Sequence, residues 1–202
     1  MNGKDTLNIR LSIIDINMKD PSRERSDVLE KLTEATALLE RCMDIRLIPK
    51  NGARLAYAIR GARDKSGVAA VKGGIIQEHG KLHAAAPCAF GADEEIARIL
   101  LTVMKFDPHM QCVATLRFSR NILKVIDSLL LECTSFDSAL EPPGISSMDW
   151  GVASCCKQGV PDVCYDTGGK GKEGIIRLFG EDPIDVSNNI IMISNRIINI
   201  EL

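Results

Sequence analysis

The residues with the clearest potential for chemistry lie in segment 160–177, VPDVCYDTGGKGKEGIIR. Val163 to Tyr165 are β-formers and predict a short strand. Three glycines within four positions follow, and they allow a tight turn that brings backbone N–H groups close to a ligand. Such a turn can bind an anion, and Lys172 adds a mobile positive charge beside it. The segment is therefore consistent with a phosphate-binding loop or with a simple hairpin turn carrying solvated charges.

The spacing of these glycines matches neither of two common nucleotide-binding motifs, G-x-x-x-x-G-K-[ST] and G-x-G-x-x-G. A nucleotide-binding fold is therefore not indicated. Three carboxylates flank the loop, at Asp162, Asp166 and Glu173. Because carboxylates attract cations, the loop could also hold a cationic group or a metal ion.

Composition narrows the classes of protein to consider. The chain has 202 residues, of which 45% are hydrophobic and 4% aromatic, so we expect one domain of ordinary size with a mainly aliphatic core. The formal net charge is −2 without a long basic run, which argues against direct nucleic-acid binding. No apolar run has transmembrane length and the N-terminus lacks a signal-peptide pattern, so we expect no membrane partner and a cytoplasmic location.

The cysteines and histidines carry no recognisable metal motif. Seven cysteines without a C-x-x-C pair predict reduced thiols in a cytosolic protein. In a strand, Cys155 and Cys156 would point to opposite faces, which favours structural thiols over a metal or redox pair. His79, His83 and His109 have no ligand spacing with cysteine or with one another, so no metal site is assigned.

The apolar periodicity predicts the elements that must position these residues. Helices are predicted over residues 26–43, 93–105, 121–130 and 182–192. Strands are predicted at 45–48, 68–71, 75–77, 82–86, 112–118, 150–156 and 163–165, with another near 135–136, while 55–59 fits a strand or a helix start. Loops are predicted at 87–91 and 141–144, and a closing strand or tail at 197–202.

The order of these elements indicates a fold class. Residues 1–25 are predicted to form an extension or an edge strand ahead of a single domain, 26–202. Helices that alternate with short, partly hairpin-linked strands indicate a three-layer α/β/α domain with a mixed sheet. No second helix follows the first after a short turn, so a helix-turn-helix DNA reader is not predicted.

Three separate stretches share their order and spacing with a known family. In segment 150–173, W-G precedes P-D-x-x-Y-D-x-G-G-x-G-K-E; segment 135–142 reads SFDSALEP; and in segment 90–98, F-G-A is followed by A-R. Over roughly residues 28–190 the chain resembles the ThiN-type thiamine-phosphate synthase domain of archaea. The resemblance implies an α/β/α fold like the class II aldolase/epimerase (AraD-like) group, with a mixed, largely antiparallel sheet.

The resemblance also implies a reaction. An aminopyrimidine diphosphate alkylates the nitrogen of a thiazole phosphate, giving thiamine phosphate and pyrophosphate. It implies no cofactor beyond a Mg²⁺ ion accompanying a diphosphate substrate. The family is also found fused to a phosphomethylpyrimidine kinase or to a DNA-binding segment.

Several positions depart from the family pattern where that pattern supplies a positive charge. The family's V-P-G-R-I resembles segment 71–75 with Gly74 in place of arginine, and Ser138 replaces the arginine after S-F-D. In the stretch resembling G-A-S-R-H, Glu94 replaces arginine and Glu95 replaces histidine. Fixed cationic donors stabilise the charge that develops on departing pyrophosphate, and losing one such donor typically costs about 10²–10³ in rate.

Two neighbouring side chains could compensate for these losses. Lys72 and Arg54 lie close in sequence to the altered positions. Lysine, however, lacks the bidentate fork with which arginine holds a phosphate, so the exchange is not equivalent.

The loop chemistry and the resemblance together define the candidate site. The residues expected to bind a ligand phosphate are Gly168, Gly169, Gly171, Lys172 and Arg117. For Arg117 an ordinary surface ion pair is the alternative. Asp166 and Glu173 would orient the loop, contact the pyrimidine amino group or the cationic thiazolium, or cap local backbone N–H groups. Asp137 and Glu141 would complement the cationic ring or simply be solvated, and no catalytic residue is assigned.

Three functions remain open from the sequence. The leading hypothesis is a protein that binds thiamine phosphate or its phosphorylated precursors, with synthase activity lost or reduced. The alternatives are an active thiamine-phosphate synthase, which is a transferase, and a ligand-sensing regulator that acts through a DNA-binding partner. A homodimer is compatible with each of them.

Overall fold

The computed structural model describes residues 21–140, 149–169 and 171–197, which contain five α-helices and nine β-strands. The helices are α1 (Pro21–Cys42), α2 (Glu94–Phe106), α3 (Arg120–Ser128), α4 (Trp150–Cys155) and α5 (Pro183–Ile197). The strands are β1 (Leu55–Ala58), β2 (Val68–Val71), β3 (Ile75–Glu78), β4 (Lys81–Ala84), β5 (Cys88–Phe90), β6 (Cys112–Arg117), β7 (Cys133–Ser135), β8 (Val163–Gly169) and β9 (Lys172–Gly180).

Seven of the strands form one sheet in the order β5-β2-β1-β6-β9-β8-β7. Strands β7 and β8 pair in parallel, and the other neighbouring pairs are antiparallel. Strands β3 and β4 form a separate hairpin, and a bridge joins its Ile75 to Ala53, two residues before β1. The predicted mixed, largely antiparallel sheet is therefore confirmed.

Helices cover both faces of the sheet. Alternating residues of β6 point to opposite sides, so Ala114 and Leu116 join one buried cluster and Val113 joins the other. The first cluster contains the inward faces of α1, α3 and α5, and the second contains those of α2 and α4. The predicted three-layer α/β/α arrangement is confirmed, with aliphatic side chains forming most of both cores.

Helix α1 includes Pro21, although the sequence predicted a helix start near residue 26. Proline is tolerated in the first turn because its missing N–H would have no helical partner there. Arg25 lies 3.6 Å from the centre of the Phe90 ring and donates to the Ser66 carbonyl at 2.9 Å. Residues 21–25 are thus part of helix α1, and the predictions for residues 1–20 lie outside the described residues.

The segment predicted as a strand at 45–48 is a 3₁₀ turn, Ile45–Leu47. The Asp44 carboxylate accepts a hydrogen bond from the backbone N–H of Arg46 at 2.8 Å. A cap of this kind satisfies a free donor at the start of the turn, and it outweighs the β-propensity of a short apolar run.

The prediction of a strand at 150–156 is also wrong, because this segment contains helix α4. Asp149 caps this helix by accepting from the backbone N–H of Val152 at 2.9 Å. Gly151 lies against the ring of Phe136 so closely that a Cβ atom there would be 2.1 Å from a ring carbon. A short apolar run does not distinguish a strand from a buried helical turn. The Asp149 cap and the close packing of Gly151 on Phe136 favour the helix.

Other element boundaries also differ from the predictions. The predicted loop at 87–91 contains β5, which pairs with β2 at the edge of the sheet. Segment 75–77 is a strand as predicted, but Gly73 and Gly74, with φ of 81° and 75°, turn the chain so that this strand pairs with β4 and not within the main sheet. The last helix continues to Ile197, and residues 141–148 and 198–202 lie outside the described part of the chain.

Candidate functional site

An open cavity of about 840 Å³ lies beside the glycine turn predicted to bind phosphate. Its walls come from the end of β6, the turn between β8 and β9, the connection at residues 48–52 and the β3–β4 hairpin. Four separated stretches of the chain therefore meet at one place, which makes the cavity the candidate site.

The turn itself is a hairpin that requires glycine. Gly168 and Gly171 have φ of 71° and 83°, in the left-handed region that side chains disfavour, and Gly169 has φ of 145°. A Cβ atom on Gly168 would lie 2.5 Å from the Lys172 carbonyl oxygen and 2.5 Å from the Gly174 nitrogen. Gly171 lines the cavity, whereas Gly168 and Gly169 shape the turn behind it.

Three exposed cationic residues line this cavity: Lys50, Arg117 and Lys172. Glu173 also lines it, and its carboxylate accepts a hydrogen bond from the backbone N–H of Lys50 at 2.8 Å. This bond ties the glycine hairpin to the connection at residues 48–52. Three positive side chains against one carboxylate leave the cavity with an excess of positive charge, which suits an anionic ligand.

The remaining lining is partly apolar. Ile48, Ile76 and Phe118 are half-buried, and Phe118 stacks on Tyr165 with the ring centres 5.7 Å apart. The stacking fixes the Phe118 ring at the cavity edge. The arrangement can hold a ligand with an anionic end near the lysines and arginine and a flat or apolar part near Phe118.

Asp166 lies beneath the turn and is buried at 6% exposure. Its carboxylate accepts a hydrogen bond from the Gly168 N–H at 2.9 Å and forms an ion pair with Arg177 at 2.9 Å. Of the roles open to Asp166 in the sequence, the structure shows the capping of a backbone N–H at the turn. Glu173 has the same kind of role toward Lys50.

The S-F-D segment lies away from the cavity lining. Asp137 is exposed, and the preceding Phe136 lies under the Arg177 guanidinium, 5.2 Å from it. The lining residues of the cavity, as described, do not include Asp137. Glu141, the other carboxylate predicted in this segment, lies outside the described residues.

The positions that depart from the family pattern are engaged in other contacts. Arg54 forms an ion pair with Asp93, and the same nitrogen lies 3.4 Å from the Glu95 carboxylate. Glu94 pairs with Lys65 at 2.9 Å. A Cβ atom on Gly74 would lie 2.6 Å from the Ala53 carbonyl oxygen, so an arginine cannot occupy this position without a backbone shift. Arg54, one of the two possible substitutes, is therefore already neutralised by carboxylates.

Lys50 and Phe118 line the cavity, but the sequence did not predict them as candidate site residues. Lys50 belongs to the segment PKNG, whose only local signal was that of a turn. Phe118 looked like the end of a strand. Both reach the cavity through long-range pairing of the chain, and no local pattern marks that pairing.

In the described ranges, no group of three His, Cys, Asp or Glu side chains is placed to hold a metal ion. Within the same ranges, no helix is long and apolar enough to cross a bilayer.

Comparison with known proteins identifies the family. The family model described as "Thiamine-phosphate synthase ThiN" matches residues 31–192, which is most of the chain. The chain belongs to the ThiN family. The ThiN resemblance inferred from segments 90–98, 135–142 and 150–173 is therefore confirmed.

Two relatives show how this ThiN-family chain compares in length. It is 35% identical over 169 residues to the "Bifunctional thiamine biosynthesis protein ThiDN" of Methanocaldococcus jannaschii, covering 82% of this chain and 40% of the relative. It is 26% identical over 173 residues to "Thiamine-phosphate synthase ThiN" of Methanothermobacter thermautotrophicus, covering 82% of this chain and 91% of the relative. The chain thus spans less than half of the bifunctional protein and nearly all of the shorter one.

Solved structures of similar domains agree with the fold. The C-terminal domain of protein MJ0236 superposes with a TM-score of 0.81 at 34% identity, covering 87% of this chain and 98% of that domain. The "C-terminal domain of phosphomethylpyrimidine kinase" superposes with a TM-score of 0.76 at 31% identity, covering 84% and 99%. A class II aldolase domain from Thermoplasma acidophilum reaches a TM-score of 0.43 at 15% identity, which is too weak to support an argument.

Proposed function

We propose that this ThiN-family chain binds thiamine phosphate or one of its phosphorylated precursors in the cavity beside the glycine turn. The observation that carries the proposal is the convergence of Lys50, Arg117 and Lys172 on one cavity with a partly apolar wall. Cations near a phosphate form hydrogen bonds that are shorter and stronger than neutral ones. The half-buried Phe118 ring offers a flat apolar surface to a heteroaromatic ring.

We further propose that synthase turnover is reduced or lost in this chain. Departure of pyrophosphate requires fixed positive charge near the reacting centre. Arg54 is paired with Asp93 and Glu95, and the backbone at Gly74 has no room for a side chain. The arginine that the family pattern places at residue 74 is therefore missing, and Arg54 is already paired with carboxylates.

A working synthase is the second candidate, and membership of the ThiN family favours it. In that case Lys50, Arg117 and Lys172 would supply the positive charge from new positions. A coupled assay with aminopyrimidine diphosphate, thiazole phosphate and Mg²⁺ separates the two candidates. We expect turnover well below the roughly 1–10³ s⁻¹ typical of enzymes, and turnover within that range would establish the second candidate instead.

Substitution of Lys172 tests whether the cavity recognises phosphate. We expect Lys172→Ala to weaken binding of thiamine phosphate by about 1–3 kcal/mol, the usual worth of a hydrogen bond to a charged group. Binding of unphosphorylated thiamine should change much less, because that ligand lacks the group that Lys172 contacts. Titration calorimetry with both ligands measures the difference.

The matched control is Lys124→Ala, which removes the same charge from the exposed surface of α3 outside the cavity lining. This control should leave both affinities unchanged. Equal weakening of both ligands by Lys172→Ala, or an equal effect of the two substitutions, would contradict phosphate recognition by the turn.

A further inference from the structure

Two cysteines that do not line the cavity lie in direct contact. Cys155 is the last residue of α4, and Cys164 lies in β8. Their Sγ atoms are 2.7 Å apart, and both side chains are buried. A disulfide joins two sulfurs at roughly 2.0 Å, so a small movement of the two side chains would bring them to bonding distance.

The surroundings make the two thiols chemically unequal. The hydrogen bond from Cys164 lowers the pKa of the Cys155 thiol against the opposing effect of burial, and the Arg177 guanidinium lowers it further. The same hydrogen bond and burial raise the pKa of Cys164. Burial raises the pKa of the neighbouring Cys156 to about 11. Because the thiolate is the reactive form of cysteine, Cys155 is the preferred nucleophile of the cluster.

We propose that Cys155 and Cys164 form a reversible disulfide when the protein meets a hydroperoxide. The geometry carries this proposal, since α4 and β8 already hold the two sulfurs in contact. The sequence placed Cys155 and Cys156 on opposite faces of a strand, and that placement is wrong. Cys155 ends a helix, and its partner is Cys164.

The reaction balances with one hydroperoxide as oxidant. The Cys155 thiolate attacks the terminal peroxide oxygen, the O–O bond breaks, and an alcohol (or water, from hydrogen peroxide) leaves after taking up a proton. The resulting sulfenic acid is attacked by the Cys164 sulfur: an S–S bond forms, the S–O bond breaks, and the hydroxide leaves as water with the Cys164 proton. Two thiols are oxidised, the peroxide is reduced, and an external thiol can reverse the reaction by exchange.

The two buried sulfurs favour a small oxidant. Cys155 is 6% exposed and Cys164 is fully buried, so a bulky disulfide reagent has little access to either. The bond would tie α4 to the strand that carries Asp166, two residues after Cys164. This inference does not rest on the proposed ligand, because the test follows the cysteines alone.

Thiol counting and peptide mapping on the full chain test the proposal. After treatment with hydrogen peroxide and unfolding, we expect the free thiols to fall from seven to five and to return to seven with a dithiol reductant. Mapping without reduction should show one cross-linked pair of peptides, with fragmentation placing the link between Cys155 and Cys164. Retention of all seven thiols, or a link through any other cysteine, would overturn the proposal.

Variants sharpen the assignment. In Cys164→Ala, hydrogen peroxide should form no disulfide at Cys155. A sulfenic acid should accumulate there instead, and a dimedone-type reagent should trap it. The matched controls Cys42→Ser and Cys133→Ser remove exposed cysteines and should still form the link. Should a buried variant fail to fold, the peptide map of the unaltered chain decides the question by itself.

Discussion

Asp166 shows how one buried carboxylate can organise the glycine turn. It accepts from the N–H of Gly168 and pairs with Arg177, and both charged side chains are nearly buried, at 8% and 12% exposure. The Arg177 Nε atom is buried without a hydrogen-bond partner among the described residues, so much of the compensation for this charge comes from Asp166. Removing one partner of a buried ion pair costs far more than the pair contributes, because the other charge stays buried.

We therefore expect Asp166→Asn to lower the free energy of unfolding by about 3–5 kcal/mol. The asparagine keeps an oxygen that can accept from Gly168, so the loss reports on the charge rather than on the turn hydrogen bond. Denaturant unfolding measures it. Replacing both partners, as in Asp166→Asn with Arg177→Met, should cost less than Asp166→Asn alone.

The exposed pair formed by Lys65 and Glu94 provides the matched control for this charge effect. Glu94→Gln should leave the unfolding free energy almost unchanged, since solvent screens an exposed pair. A stability of Asp166→Asn equal to that of Glu94→Gln would show that the Arg177 charge does not depend on Asp166.

At the scale of elements, the β8–β9 hairpin is the unit that presents the cationic turn. Next to the turn, the two strands pair through Gly168–Glu173 and Gly169–Lys172. The side chains of Glu173 and Lys172 therefore lie beside the turn. Glu173 then holds the hairpin against the connection at residues 48–52. The glycines allow the hairpin to turn, and the charged residues line the cavity.

Two glycines of this hairpin permit a clean comparison. Both have a positive φ, but a Cβ atom at Gly168 would collide with backbone atoms, whereas a Cβ atom at Gly171 would meet nothing within 4 Å. Gly171→Ala should cost about 1–2 kcal/mol of stability for the left-handed conformation alone. Gly168→Ala should cost clearly more, because the backbone must also move.

Thermal and denaturant unfolding of the two alanine variants measures this difference. Both substitutions are Gly→Ala in the same turn, so each serves as the control for the other. Equal losses of stability would mean that the contact at Gly168 relaxes without cost and that the hairpin is less constrained than its geometry indicates.

At the scale of the whole molecule, the candidate cavity lies between the main sheet and the separate β3–β4 sheet. Two aliphatic cores on opposite faces hold the central strands in place, and the β3–β4 hairpin adds Ile76 and Gln77 as a wall from outside the main sheet. The Ala53–Ile75 bridge fixes that hairpin beside the connection carrying Lys50. The cavity is thus a product of the tertiary arrangement, and each wall depends on a different element.

Strong periodicity made several elements predictable. Helix α2 begins and ends within one residue of the predicted range, 93–105, and Asp93 caps it by accepting from the N–H groups of Glu95 and Ile96. Helix α3 and strand β6 also lie where the apolar pattern placed them. The two helices bury one face against the sheet, and burial of that face gives their apolar residues a helical period, whereas β6 is buried on both faces. The predictions for two short segments were wrong for the opposite reason. The apolar runs at 45–48 and 150–156 are too short to show a period, and the aspartate that precedes each of them caps the helical turn.

The family, the glycine turn and the α/β/α class could be predicted from the residues alone, because these depend on local residue order and on periodic burial. Three features became visible only in the folded chain: Lys50 and Phe118 join Arg117 and Lys172 around one cavity, Arg54 is paired with Asp93, and Cys155 meets Cys164. In each of these contacts, the residues next to either partner in the sequence give no indication of the other partner. Their proximity comes from the pairing of strands and the packing of helices, and those depend on the whole chain at once.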